Sequence, residues 1–202
     1  SELLSWVDRL IYDSHTWKNF GAQMHLLENA QMEAKTRVIL CDLNWARLTP
    51  IRVALAQFFD HPASRHHLTR FDRLEIDFAS EHRSTALLLA GWIAAQLQWK
   101  PSAGELAFQN DAGQAIEVVL KEKNGAPIGR CVLRNELREF CVAHPANTDL
   151  LDVSSRRPSQ RAMHQLMPAG KNDPVRLLNE EFVRGGAGRI YLRALERVRE
   201  LL

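Results

Sequence analysis

The amino-acid sequence predicts an α/β domain with a mixed sheet: parallel β-α-β units in the first half, and an antiparallel meander plus C-terminal helices in the second half. Up to about residue 100, short β-branched apolar runs alternate with helical patterns, which is typical of parallel strands joined by right-handed crossovers. Beyond that point apolar residues recur with period two, and Asn124-Gly125 between two such runs favours a hairpin. Two helical patterns close the chain from Pro174.

Residues 1–100 form the predicted β-α-β half. Its apolar runs predict strands at 9–13, 37–42 and 73–79, and its helical spacings predict helices at 16–34, 49–60 and 84–99. Thr49 suits the N-cap of the second helix and Pro50 its first position, where no amide hydrogen is needed. The helix at 84–99 is apolar nearly all round, which predicts that it is buried and that Trp92 and Trp99 are core residues.

Residues 101–202 are predicted to pack with the first half as one compact unit. Ile116, Val118 and Leu120 fall on one face of a strand in the meander. Residues 154–173 show no period and are rich in Arg, Pro and Gly, which predicts an irregular, mobile basic loop. The stretch "RGGAG" separates the helices of the closing pair. Because it follows a helix and not a strand, helix capping is favoured over a phosphate loop.

Composition and charge narrow the function classes. The formal net charge of the 202 residues is +2, which is too near neutral to indicate a nucleic-acid or anionic-membrane partner. No apolar run approaches the ~20 residues of a membrane span, and the first ten residues lack the pattern of a signal peptide. Three cysteines without a CxxC pair fit a reducing compartment, so a cytoplasmic location is expected.

Motifs for catalysis or cofactor binding are absent from the sequence, which has no GxSxG, GxGxxG or GxxxxGK[ST]. The histidines of "HPASRHH" lack the convergent ligands of a zinc site, so solvated histidines and no metal are expected. Asp13, Asp42 and Asp77 end predicted strands, where open α/β sheets place ligand groups. An enzyme that binds a sugar phosphate or nucleotide through these aspartates and the basic loop is therefore an alternative. Capping of the following turns is the favoured role for the aspartates.

Cys131 and Cys141 flank the turn at Asn135-Glu136 and are a possible redox pair. A two-residue loop would place Cys131 opposite Phe140, with the two sulfur atoms on opposite faces. A three-residue loop would place Cys131 opposite Cys141, where a disulfide is feasible. The sequence leaves both registers open.

The strand-to-helix junction "DLNWARLTPIR", which starts at Asp42, combines a tryptophan with two arginines. Trp and Arg are enriched at interface hot spots because they give large contact area and directed polar contacts. Arg52 would emerge from the first helical turn, where its charge opposes the helix dipole, so a partner's carboxylate could bind it and Arg47. Neither charge is expected to be needed for the core. The structural alternative is that Trp45 covers the sheet edge and that Arg47 pairs with Asp42 or Glu75.

Two motifs in combination resemble the OpcA-type glucose-6-phosphate dehydrogenase assembly proteins. They are "DLNWARLTPIR" and the apolar "LLLAGWIAAQLQW". The ending "LLNEEFVRGGAGRIYLRALERV" and the early "VDRLIYDS" support the likeness, which covers most of the chain. The sequence departs from the family at Ile51, where Trp is frequent, and the meander shows no particular match.

The resemblance implies a protein without catalysis of its own and without a cofactor. Proteins of this family bind glucose-6-phosphate dehydrogenase and promote its assembly or activation in the oxidative pentose phosphate route. Redox control is associated with the system in cyanobacterial relatives. The residues predicted to contact the dehydrogenase are Trp45, Arg47, Thr49 and Arg52, and the possible redox residues are Cys131 and Cys141.

Overall fold

The computed structural model divides the strands between two sheets. It describes residues 7–33, 38–60, 64, 66–102, 106–157, 160–184 and 188–202. The smaller sheet has two parallel strands, β1 (Arg9–Tyr12) and β2 (Ile39–Asp42), which helix α1 (Phe20–Glu33) connects. This is a β-α-β unit of the predicted kind. Its register sets Tyr12 beside Asp42, so the carboxyl ends of both strands open at the same place.

The larger sheet has eight strands in the order β10-β9-β8-β7-β3-β6-β5-β4. Its strands are β3 (Arg73–Phe78), β4 (Lys100–Pro101), β5 (Ala107–Gln109), β6 (Ala115–Glu122), β7 (Ile128–Asn135), β8 (Arg138–Ala143), β9 (Leu150–Arg156) and β10 (Met163–Pro168). β3 runs parallel to β6 and antiparallel to β7, and the other neighbours are antiparallel. The α/β class with a mixed sheet is thus confirmed.

The central position of β3 corrects two expectations. The strand predicted at 73–79 does not extend the parallel sheet of β1 and β2, and Asn124-Gly125 does not close a hairpin, because β3 lies between β6 and β7 and pairs with both. Leu74 and Ile76 of β3 are fully buried, so this strand gains most by lying in the middle of the sheet. Gly125 still makes the turn possible, with a φ of 138° that favours glycine.

Residues 154–173 are not irregular throughout, and residues 158 and 159 lie outside the described part of the chain. The first residues of this segment complete β9, and β10 pairs with β9 in an antiparallel register from Met163 opposite Ser155 to Pro168 opposite Leu150. The missing period has a physical cause. β10 is an edge strand whose side chains are mostly exposed on both faces, so main-chain hydrogen bonds hold it and no apolar pattern is required.

The described residues form five further α-helices: α2 (Leu43–Arg47), α3 (Thr49–Gln57), α4 (Arg83–Gln96), α5 (Pro174–Arg184) and α6 (Arg189–Leu201). Helix α4 packs on β3 and β6, α3 packs on β8, and α6 packs along α4. The main core lies between these helices and one face of the larger sheet, where Leu88, Leu89 and Phe140 are buried.

The junction after β2 contains one helix more than predicted. Helix α2 comes directly before α3, and Leu48 lies between them, so Leu48 and not Thr49 occupies the N-cap position of α3. Pro50 is therefore the second residue of α3 and not the first, but it still lies in the first turn, where no amide hydrogen is needed. A helix of five residues is too short to show a hydrophobic period, which explains why the sequence did not indicate α2.

The two tryptophans predicted in the core differ in burial. Trp99 is 1% exposed and packs on Phe108, with 5.9 Å between the ring centroids. Trp92 is half-buried and packs against the edge of the core. The prediction is therefore confirmed for Trp99 and only in part for Trp92. Helix α4 ends at Gln96, so Trp99 reaches the core from the chain that follows the helix.

Candidate functional site

A buried carboxylate lies where the carboxyl ends of β1 and β2 meet. Asp42 is 0% exposed. Its Oδ1 accepts hydrogen bonds from the amides of Ser14 (3.0 Å) and Asn44 (3.0 Å), and its Oδ2 accepts from Ser14 Oγ (2.7 Å) and Tyr191 Oη (2.8 Å). The hydroxyl oxygens of Tyr12 and Tyr191 are 2.6 Å apart. These bonds tie the smaller sheet and α2 to α6, the last helix.

Burial controls the protonation of this cluster. It raises the pKa of Asp42 to about 6, although hydrogen bonds from Ser14, Tyr191 and Asn44 oppose the rise. Burial and the charge of Asp42 raise the pKa of Tyr191 well above its usual value, so its phenol stays protonated and donates. Both oxygens of Asp42 are occupied by donors of the chain itself. The carboxylate is therefore arranged to hold elements together and not to receive a substrate.

Asn44 extends the network to helix α4. Its Nδ2 donates to Ser14 Oγ at 3.0 Å, and its Oδ1 accepts from Thr85 Oγ1 at 2.8 Å and from Arg47 Nη1 at 3.0 Å. Ser14, Asn44 and Thr85 are all 0% exposed. No local sequence pattern points to Ser14, Thr85 or Tyr191, because the partners of Asp42 lie up to 149 residues away along the chain.

Arg47 forms a bidentate ion pair with Asp13. Its Nη1 and Nη2 lie 3.0 Å and 2.7 Å from the two carboxylate oxygens, and its Nε donates to Asn172 Oδ1 at 2.7 Å. Burial raises the pKa of Asp13, but the hydrogen bonds and charge of Arg47 outweigh it and hold that pKa below its usual value. The prediction that Arg47 pairs with Asp42 or Glu75 is therefore wrong. The Arg47 side chain is only 8% exposed, because its guanidinium is already engaged in contacts within the chain.

The other residues predicted to bind a partner also contact one another. The guanidinium carbon of Arg52 lies 3.5 Å from the centroid of the Trp45 ring, and Nη2 donates to Trp45 O and Thr49 Oγ1, both at 3.1 Å. Trp45 is 7% exposed and meets Tyr191 edge-on at 5.3 Å. The structure thus brings Trp45, Thr49 and Arg52 together, in contacts that stabilise the junction. Their contact with a partner stays a prediction.

The three strand-end aspartates have separate roles. Asp13 accepts from the His15 amide at 3.2 Å and Asp42 from the Asn44 amide, so both cap the turn that follows, as favoured above. Asp77 lies on the larger sheet and pairs with Lys123 Nζ at 2.7 Å. The three carboxylates therefore do not form one ligand site.

The two cysteines of the proposed redox pair cannot reach each other in this register. Residues 136 and 137 form the loop between β7 and β8, which sets Cys131 opposite Val142 and Cys141 opposite Val132. Neither predicted register is found, because the two-residue loop lies one residue later than the predicted turn at Asn135-Glu136. Neighbouring residues of a strand point to opposite faces, so the two sulfur atoms lie on opposite sides of the sheet. Cys131 is fully buried, and burial raises the pKa of both thiols. A disulfide between them, which one of the two predicted registers would have allowed, is therefore not formed in this structure.

The histidine and glycine segments lie partly outside the described residues, which exclude His61 and 185–187. His67 is 5% exposed and meets Phe140 edge-on, so it is not a solvated histidine. Burial, with the charge of His66, lowers the pKa of His67 to about 4. Gly188 occupies the N-cap position of α6. Among the described residues no group of three potential metal ligands comes together.

The family comparison covers most of this site, whereas Tyr12, Asp13 and Ser14 lie before the matched segment. Residues 39–195 match the family model for the C-terminal domain of the OpcA-type glucose-6-phosphate dehydrogenase subunit. That segment is more than half of the chain and includes β2, the junction and most of α6. The chain belongs to the OpcA family. The resemblance found in the sequence motifs is therefore confirmed.

Two curated OpcA proteins match shorter segments of the chain. Both are provisionally named OxPP cycle protein OpcA. The one from Synechocystis sp. is 38% identical over 99 residues, which is 49% of this chain and 20% of that protein. The one from Nostoc punctiforme is 37% identical over 76 residues, which is 38% of this chain and 16% of that protein. The matched segments thus span a fifth or less of these OpcA relatives.

Solved structures share the fold at low sequence identity. A dehydrogenase (MviM) from Clostridium difficile aligns with a TM-score of 0.50 and 9% identity, over 99% of this chain and 79% of that protein. An aldose-aldose oxidoreductase from Caulobacter crescentus aligns with a TM-score of 0.50 and 10% identity, over 95% and 67%. At such identities the likeness concerns the fold alone. Within the described ranges of this OpcA-family chain, no helix is both long and apolar enough to cross a membrane.

Replacing Arg47 by alanine is expected to lower the free energy of unfolding by ~2–4 kcal/mol, because Asp13 would keep its charge in a partly buried site and lose both guanidinium hydrogen bonds, with only His15 beside it. Arg47→Lys keeps the charge but cannot form the bidentate pair, so an intermediate loss of stability is expected. Arg199 is 58% exposed and pairs with Glu28 at 3.2 Å. Arg199→Ala is the control and should cost less than ~1 kcal/mol. Equal urea midpoints for Arg47→Ala and the control would show that the ion pair does not stabilise the junction.

Proposed function

We propose that this chain is a non-catalytic module that binds glucose-6-phosphate dehydrogenase and promotes its active form in the oxidative pentose phosphate pathway. The observation that carries the proposal is the family match over residues 39–195, whose model is named for a subunit of that dehydrogenase. The names of the two curated relatives support the same pathway. The thiols of Cys41, Cys131 and Cys141 are free, which favours a cytoplasmic, reducing location.

The chemistry of the Asp42 cluster supports a role without catalysis. A general acid or base must reach a substrate atom at hydrogen-bonding distance. Asp42 is fully buried and accepts four hydrogen bonds from its own chain. Asp13 is held by Arg47 in the same way. The carboxylates at the strand ends are thus occupied in the folded state.

The residues of the junction between β2 and α3 contribute to dehydrogenase binding indirectly in this proposal. Arg47 and Arg52 fix α2 and α3 relative to β1 through Asp13 and the Trp45 ring, so they define the shape of the surface around them. We infer that Trp45, Arg47, Thr49 and Arg52 act on partner binding mainly by holding that shape.

The alternative function, an enzyme acting on a sugar phosphate or nucleotide, has a weaker basis. Of its two proposed elements, the 154–173 segment lines a cleft of about 50 Å³ beside Arg47, but none of Asp13, Asp42 and Asp77 lines that cleft. Small-molecule sites usually have ~300–1,000 Å³. A wider hollow of about 680 Å³ lies beside Trp17 and Arg83, but Asp13 and Asp42 do not line it.

An activity assay tests the proposal. The purified chain is mixed with glucose 6-phosphate and NADP, and NADPH formation is followed with and without the glucose-6-phosphate dehydrogenase of the same organism. The chain alone should form no NADPH, and it should raise the rate of the dehydrogenase in a saturable way. NADPH formation by the chain alone would support the enzyme alternative, and an unchanged dehydrogenase rate at saturating chain would contradict activation.

A further inference from the structure

One face of the larger sheet is left open by the described part of the chain. The helices that contact the sheet's central strands, α3 and α4, lie on the face that carries Leu74, Ile76 and Phe140. Side chains alternate along a strand, so Glu75 and Asp77 of β3 point to the opposite face. The neighbouring strands present these outward side chains: Glu117 and Lys121 on β6, Arg130 and Arg134 on β7, Glu139 on β8 and Asp152 on β9.

Four cations surround one carboxylate at the centre of this face. Glu75 is 8% exposed. Its oxygens lie 2.7 Å from Arg73 Nε, 3.4 Å from Arg134 Nη2, 3.4 Å from Lys121 Nζ and 4.0 Å from Arg130 Nη1. We call this cluster, together with Glu117, the Glu75 patch. Glu117 pairs with Arg73.

The Glu75 patch carries more positive than negative charge. It holds four cations against two carboxylates. The side chains of Arg130, Arg134 and Lys121 are 37%, 41% and 46% exposed, so an incoming group can reach them. Glu75 alone cannot balance these three cations, and the neighbouring carboxylates Asp77 and Glu139 are paired with Lys123 and Arg156. Further carboxylates would relieve the mutual repulsion of the three cations with charge-assisted hydrogen bonds.

The surroundings of the patch favour a protein as the source of those carboxylates. Asp77, Glu139 and Asp152 lie on the same face and pair with Lys123, Arg156 and His164, so charges of both signs alternate across it. A phosphate backbone would meet these carboxylates with repulsion, whereas a protein surface can match both signs. A second copy seated symmetrically on the patch is disfavoured as well, because a two-fold axis through the patch would set one positive centre against the other.

We propose that the open face of the eight-stranded sheet is the surface on which the dehydrogenase docks, with carboxylates of the dehydrogenase binding Arg130, Arg134 and Lys121 around Glu75. This inference rests on the proposed function and specifies its surface. It differs from the sequence-based prediction, which placed the contact at residues 42–52. The open face offers half-exposed cations, whereas Arg47 of the junction is nearly buried by contacts within the chain.

The test compares two neutralised variants of the chain in binding to the dehydrogenase. Arg130→Gln with Arg134→Gln removes two cations of the patch without adding charge. Arg193→Gln with Arg199→Gln removes two exposed arginines of α6 and is the matched control. The affinity of each for the dehydrogenase is measured by calorimetry at low and high salt, and a thermal melt checks that each folds.

The patch variant should bind ~10-fold more weakly or worse, with a shallower dependence on salt, while the control binds like the wild-type chain. Wild-type affinity in a folded patch variant would overturn the docking surface and leave the proposed function standing. Failure of the wild-type chain to bind would overturn both. Two other results would also overturn the proposal. If the wild-type chain binds a duplex RNA probe or self-associates, and only the patch variant loses this property, the face belongs to that partner.

Should the patch variant not fold, Lys121→Gln provides the same comparison with a smaller change, because Lys121 Nζ contacts Glu75 at 3.4 Å from a half-exposed position. It should weaken binding by ~3-fold or more at low salt and lose that difference at high salt. An affinity equal to that of the wild-type chain at low salt would contradict the docking surface.

Discussion

Replacing Asp42 by alanine is expected to lower the free energy of unfolding at neutral pH by ~3–5 kcal/mol. The substitution leaves the amides of Ser14 and Asn44 and the hydroxyls of Ser14 and Tyr191 without their acceptor, in a site closed to water. Urea unfolding of both proteins, followed by circular dichroism, measures the difference.

The matched control for Asp42→Ala is Asp111→Ala. Asp111 is 67% exposed and lies 3.6 Å from Lys100, itself 63% exposed. An exposed pair of this kind contributes ~0–1 kcal/mol, so the control should unfold almost like the wild-type chain. If Asp42→Ala also unfolds like the wild-type chain, the hydrogen bonds of Asp42 do not stabilise the fold.

The difference in stability between the wild-type chain and Asp42→Ala should depend on pH. Burial raises the pKa of Asp42 from 3.8 to about 6 in the folded state, so the folded chain holds this proton more tightly than the unfolded chain. The stability from Asp42 is therefore fully present below about pH 4 and falls as the pH rises through 6. The change is of the order of 3 kcal/mol. His67, with a pKa lowered to about 4, acts in the opposite direction but is common to both proteins. The gap between wild type and Asp42→Ala should widen from pH 7 to pH 4; a gap that narrows would contradict the raised pKa.

Replacing Gly91 by alanine is expected to lower the free energy of unfolding by ~2–4 kcal/mol. A Cβ at Gly91 would lie 2.4 Å from the carbonyl oxygen of Ala194 and 2.6 Å from Val198 Cγ2, so helices α4 and α6 would have to separate. The shift would also move Tyr191, which donates to Asp42 from the same helix.

Gly21 is the control for this substitution. It lies in helix α1, and the nearest atom to an added Cβ there is Asn19 Oδ1 at 3.8 Å. Alanine at Gly21 has room and a better helix propensity, so it should raise stability by up to ~1 kcal/mol. Thermal melts that move in the same direction for both variants would show that α4 and α6 do not depend on the close approach at Gly91.

The sequence predicted the parts of the fold that local patterns encode. The apolar run before Asp42 identified β2, the all-round apolar character of "LLLAGWIAAQLQW" identified α4, and the alternation at Ile116, Val118 and Leu120 identified β6. It did not predict which strands pair. β3 lies between β6 and β7 because burial on both sides decides the order, and pairing between distant segments leaves no local pattern.

The residues of the junction were identified by sequence, but their chemistry was not. The residue types of Trp45, Arg47 and Arg52 predicted an interface, because the sequence does not reveal which residues of the same chain they contact. Arg47 binds Asp13, 34 residues away, and Trp45 packs on Tyr191 at the other end of the chain. The open face around Glu75 was missed for the same reason, since its cations come from three strands that only the fold brings together.

Binding of the chain to glucose-6-phosphate dehydrogenase is the central claim, and sedimentation velocity of the two purified proteins tests it most directly. The mixture should contain a species that sediments faster than the dehydrogenase alone and carries the chain in fixed proportion. Two boundaries that move independently at concentrations up to ~100 µM, far above the Kd of a specific interface, would contradict the claim.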